Sequence, residues 1–111
     1  SLTNHYLGNQ ANPVEAERFY ATGMALYFNK RYLDAEKAFM AAVENERQDA
    51  RYQYYLGLSR LAQNKAEAAE AFEAASKYEK LGRPSRAAVS TSLERVQGPQ
   101  RQILNMYRNS R

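Results

Sequence analysis

The side chains able to do covalent or metal chemistry are few and scattered. The chain has a single histidine, His5, and no cysteine. That removes thiolate nucleophiles, disulfides and thiolate metal sites. One histidine near the start of the chain does not make a Ser-His-Asp relay or a histidine metal site; it reads as a free surface residue. The carboxylates are numerous but fall on faces such as Glu67, Glu70 and Glu73, where they read as solvated charge. Gly23 and Gly57 lack the neighbours of a phosphate-binding loop. No catalytic residue, metal ligand or cofactor is therefore expected, and an enzyme is disfavoured.

What remains is recognition chemistry. Residues 83–111 hold six arginines against one acid, Glu94, a net +5; the first 82 residues hold ten bases against eleven acids, a net −1. The basic character belongs to the C-terminal part. Arg83, Arg86, Arg95, Arg101 and Arg108, with Tyr107 nearby, form a candidate basic patch for phosphates or an acidic protein. The competing reading is a solvated basic face. The irregular spacing, and the need of Val96, Ile103 and Leu104 for packing, disfavour nucleic acid as the partner.

These residues must be carried by elements, and the elements repeat. Phe19-Tyr20-Ala21-Thr22-Gly23-Met24-Ala25-Leu26-Tyr27 is matched by Gln53-Tyr54-Tyr55-Leu56-Gly57-Leu58-Ser59-Arg60-Leu61, with Gly23 and Gly57 34 apart. Downstream of each, Ala35, Phe39 and Ala42 are matched by Ala68, Phe72 and Ala75, displaced by 33. One residue is thus missing from the second unit between Gly57 and Ala68. Each unit reads as two antiparallel helices that pack closely at Gly and Ala, with a Phe filling the space between layers. Neither pair can bury its apolar face alone, so the units stack.

Local signals set the boundaries. Asn12-Pro13 is an N-cap followed by proline at N1. Glu15 and Glu17 follow in the first turn, where the helix dipole favours acids. Asn29-Lys30-Arg31 breaks the first helix. A second is expected from Tyr32 to Glu46, a third from the Asp49 cap to Gln63, and a fourth from Ala66 to Leu81 after the turn at Asn64-Lys65. Gly82 ends it and Pro84 blocks continuation. Val89, Leu93 and Val96 share one face of a fifth helix. Gly98-Pro99 breaks it, and Ile103, Leu104, Met106 and Tyr107 give a sixth helix an apolar side. The last two helices are expected to form a divergent third pair, residues 84–110, capping repeats at about 15–48 and 49–82. Residues 1–11 read as a tail or linker, or as a strand laid along the groove.

The paired pattern resembles the tetratricopeptide repeat. The first unit supplies Phe19, Gly23, Leu26 or Tyr27, Tyr32, Ala35, Phe39 and Ala42; the second supplies Leu56, Gly57, Ala68, Phe72 and Ala75. Thr22 and Gln53 depart from the pattern, and neither repeat closes with proline. The resemblance implies an all-α fold of about six helices stacked into a short right-handed superhelix, a protein-binding scaffold by function. It also implies that the first helix of each repeat lines a concave face. By position, that points to Tyr20, Met24 and Tyr27, and to Tyr54, Leu58 and Leu61, as the groove for a protein or peptide. Each trio runs i, i+4, i+7, a single stripe. Tyr and Met suit such surfaces because they bury area and adapt in shape. The opposite reading is that the stripes are core, or that residues 1–11 or the last two helices fill the groove. Glu17 and Arg51 take equivalent ends of the stripes and read as a pair across the repeats. A carboxylate clamp is disfavoured, since Tyr, Met and Leu stand where the family uses Lys and Asn.

The bulk numbers are compatible. A chain of 111 residues is room for one domain, and 44% hydrophobic with 25% charged residues is ordinary globular composition. No run is apolar enough to span a membrane. The first residues make no signal peptide, and Ser1 in place of Met implies a segment of a longer protein. The compartment is left open, with the cytoplasm favoured. Alternatives to the scaffold are the basic patch, a structural spacer, or self-association through open ends of the stack.

Overall fold

The computed structural model describes residues 11–110. The tail reading of residues 1–10, and His5 with it, lies outside them. The fold is all-α, with six helices: α1 Pro13–Phe28, α2 Tyr32–Asn45, α3 Ala50–Ala62, α4 Ala68–Lys80, α5 Arg86–Leu93 and α6 Pro99–Arg108. The closest packing is between α1 and α2, α3 and α4, and α2 and α3. Short turns join them, so neighbours in sequence are neighbours in space.

The ends of the helices follow their capping residues. The Glu15 amide donates to Asn12 Oδ1 at 3.3 Å, the Arg51 amide to Asp49 Oδ1 at 2.9 Å, and the Ala88 amide to Ser85 Oγ at 3.2 Å. Each satisfies an amide that the first helical turn leaves without a partner.

The repeat is visible as repeated contacts. A Cβ built on Gly23 would lie 2.5 Å from Phe39 Cε1, and one on Gly57 2.7 Å from Phe72 Cδ1. In both pairs, glycine lets the phenylalanine ring of the second helix lie against the backbone of the first. Lys30 (φ 63°) and Asn64 (φ 60°) both turn left-handed, 34 positions apart. The residue after each donates back to an equivalent carbonyl: Arg31 to Leu26 at 2.9 Å, Lys65 to Arg60 at 3.0 Å.

The missing residue is absorbed just after this point. In the first unit the Ala35 amide donates to the Arg31 carbonyl, four residues back, at 2.9 Å; in the second, Ala68 donates to Lys65, three back, at 3.2 Å. A turn of three residues replaces one of four. This is why α4 begins at Ala68 and not at the expected Ala66. Buried Glu36 of α2 pins the same turn. It accepts from Arg60 Nε at 3.0 Å, Gln63 Nε2 at 2.9 Å and Lys65 Nζ at 2.6 Å. Burial pushes its carboxyl pKa up, but the hydrogen bonds from Lys65, Gln63 and Arg60 outweigh that and hold it below the ordinary value.

The C-terminal part departs from expectation. α5 ends at Leu93, so Val96 lies in the following turn, although it is buried with Val89 and Leu93. Met106 is 71% exposed and does not join Leu104 in the core. α5 and α6 do not form a hairpin like the first two pairs. α5 rests on α3 and α4, and α6 rests on α4. The reason lies in the turn: Arg101 turns back to donate to the carbonyls of Val96 at 2.8 Å and Leu93 at 2.5 Å. It closes the C-terminus of α5, where carbonyls lack partners and a cation is favoured.

Candidate protein-binding face

The groove residues predicted from sequence lie on α1 and α3, as expected, but most are covered. Tyr54 and Leu58 are 0% exposed, and Tyr20 and Tyr27 are buried. Only Met24 and Leu61 remain half-buried. The stripes are therefore largely core; of the two readings the sequence left open, burial favours packing within the chain.

The cover comes from within the described residues. The Tyr55 hydroxyl donates to the Ser92 carbonyl at the end of α5. The Arg95 guanidinium, in the next turn, sits 3.8 Å from the Phe28 ring centroid on α1. Val89 and Leu93 are 0% exposed. α5 and its following turn thus reach from α4 over α3 to α1. Burial pushes the Tyr27 hydroxyl up to about 12, with Tyr32 adding to it. Burial also raises Tyr55 well above its ordinary value, with Tyr20 and Tyr27 adding to it.

Beneath this cover the rings form a connected cluster. Tyr20 lies 5.1 Å from Tyr52, 6.0 Å from Tyr55 and 6.2 Å from Phe39 between centroids. Tyr27 lies 5.7 Å from Tyr55, mostly edge to face. Such pairs add a little beyond the area they bury. Sequence reasoning passed over Tyr55, Phe28 and Ser92, and read Arg95 only as part of the basic patch. A signal for Tyr55 was present: Tyr52, Tyr54 and Tyr55 crowd four positions, and a helix apolar on every side is one buried on every side.

The arginines of the expected basic patch are spread among structural tasks. Arg108 is nearly buried: its side chain is 7% exposed and pairs with Glu79 of α4, itself 3% exposed, at 2.8 Å. Glu79 also accepts from the Tyr54 hydroxyl at 2.7 Å and lies 3.4 Å from Arg86 Nη1. Burial and the Glu79 contact both raise the Tyr54 pKa, keeping its hydroxyl protonated. Arg101 closes α5, Arg95 covers Phe28, and Arg83 donates to Gln48. The five therefore do not make one open patch, which corrects that reading.

Arg51 and Glu17 do pair, as expected, but Arg51 is not simply solvated. It also binds Asp49 at 2.7 Å and lies 5.1 Å and 5.2 Å from the rings of Tyr20 and Tyr52. Burial works against its charge; Asp49 and Glu17 outweigh this and raise its pKa. Glu17, Asp49, Arg51 and Tyr52 line a cleft of about 420 Å³ with Glu46 and Arg83. Within it, Arg51 and the Tyr52 hydroxyl already spend their hydrogen bonds on Glu17 and Asp49.

Among the described residues, no helix is long and apolar enough to cross a membrane. No group of three His, Asp or Glu side chains there is placed to hold a metal ion. Comparison of the chain with known protein families, curated proteins and solved structures found no match.

Proposed function

We propose that this chain is a protein-interaction scaffold of the tetratricopeptide kind, which docks an apolar helix or extended segment against α1 and α3. The observation that carries the proposal is the ring cluster on that face, against which Met24, Phe28 and Leu61 pack half-buried. Aromatic and Met side chains concentrated at one surface are what protein recognition uses. The doubled Gly-Phe contact, with one left-handed residue in each turn, supports the repeat class. Sites in such stacked helices are argued from their surface, since the fold alone does not imply a function.

The test is a screen of amphipathic helical peptides against the whole chain. Met24→Ala with Leu61→Ala is expected to weaken the selected peptides by about tenfold, roughly 1.4 kcal/mol, while the far-ultraviolet spectrum is unchanged. Peptides that bind the double variant as tightly as the parent would place the docking surface elsewhere. A titration with generic RNA at low ionic strength is expected to be flat, because Arg108 is spent on Glu79 and Arg101 on carbonyls. Salt-sensitive RNA binding would favour the arginines instead.

A further inference from the structure

We infer that α5 and the turn after it act as a strap, an occupant in cis of the face to which a partner docks; this rests on the docking face proposed above. α5 has eight residues, too few to hold a helix in isolation. Its packing on α4 is slight beside that of α1 on α2 or α3 on α4. Left-handed glycines stand on either side of the strap, Gly82 at φ 71° and Gly98 at φ 74°. Such positions are pivots that few other residues tolerate.

The strap meets the face as a ligand would. It places aliphatic side chains at i, i+4 and i+7, namely Val89, Leu93 and Val96, all buried. It offers the Ser92 carbonyl to Tyr55 and lays Arg95 over Phe28. A partner able to replace it carries the same chemistry: an amphipathic segment with three aliphatic residues at that spacing and a cationic residue just before the third.

One carboxylate fastens the strap. Glu79 lies 3.4 Å from Arg86 of α5 and 2.8 Å from Arg108 of α6, and Arg108 Nη2 donates to Ser90 Oγ of α5 at 2.7 Å. Without Glu79, Arg108 keeps its charge in a nearly closed site with no acid beside it, and breaking a buried pair in this way is strongly unfavourable. The arrangement relaxes when α5 and α6 move out to water.

The experiment compares the whole chain with its Glu79→Ala variant by hydrogen exchange, and by binding of a labelled peptide of residues 84–98. In the variant, α5 amides are expected to lose protection at least tenfold while α1 to α4 keep theirs, and the peptide is expected to bind at least tenfold more tightly than to the parent. α5 amides as protected as in the parent, or loss of protection in all helices together, would overturn the strap. An opened strap that leaves the peptide unbound would overturn the docking face along with it. Ser90→Ala with Arg95→Ala alters only exposed side chains. It should loosen α5 in the same direction; no change in α5 exchange there would also count against the strap.

Discussion

A methyl group at Gly57 would lie 2.7 Å from the Phe72 ring, and that ring cannot retreat because it stacks on Tyr107 at 5.0 Å. Gly57→Ala gains about 1 kcal/mol of helix propensity. It should nonetheless lower stability by about 1–2 kcal/mol overall, since overpacking a filled core commonly costs more than that gain. Urea unfolding measures the difference, and a more stable variant would show that the two helices have room to spread. Ser59 is the opposite case. It is fully buried in α3, and its hydroxyl has no hydrogen-bond partner among the described residues. Ser59→Ala removes a polar group buried without compensation and should stabilise the chain by about 1 kcal/mol. A loss of stability on thermal unfolding would show that the hydroxyl is satisfied after all.

At the scale of elements, the join between the two helix pairs depends on Glu36. Its carboxyl is held below the ordinary value of 4.5 by Lys65, Gln63 and Arg60 acting against burial. A carboxyl depressed in the folded state contributes stability above its unfolded pKa, and that contribution is lost as pH falls through the folded value. Glu36→Gln keeps the shape but weakens the charge-assisted hydrogen bonds, and should cost about 1–2 kcal/mol near neutrality. The gap from the parent should shrink as pH drops below about 4.5. Equal gaps at pH 7 and pH 3 would remove the charge from the account. The α1–α4 spans were legible in the sequence because their signals are local: Asn12-Pro13, Asp49, the paired Gly and Phe. The start of α4 was not, since a deletion does not say whether a helix shortens or a turn tightens. The true partners of α5 and α6 were not legible either. They depend on Arg101 folding back onto Leu93, which no helix signal announces, and on Glu79 meeting Arg108, a contact between residues remote in the chain.

At the scale of the molecule, the two ends of the stack differ. Tyr52, Tyr55, Leu56 and Ser59 of α3 are buried, whereas Arg18, Ala21, Thr22 and Ala25, 34 positions earlier on α1, are exposed. Small and polar side chains replace large ones where no helix among those described lies outside α1. At the other end, α6 closes α4 and α5 covers the ring cluster. The sequence left two readings of these stripes open, a groove or a face filled by the last helices, because Tyr20, Met24, Tyr27, Tyr54, Leu58 and Leu61 have the same spacing whether they face a partner or α5.

We expect α5 to be the least firmly held helix over that face. Hydrogen exchange of the unaltered chain tests it most directly, because local openings have their own free energies below that of global unfolding. The amides of Val89 to Leu93 are expected to exchange through such a local opening, well before those of α3. Exchange of α5 only in step with global unfolding would contradict it, and would make the cover a permanent part of the core.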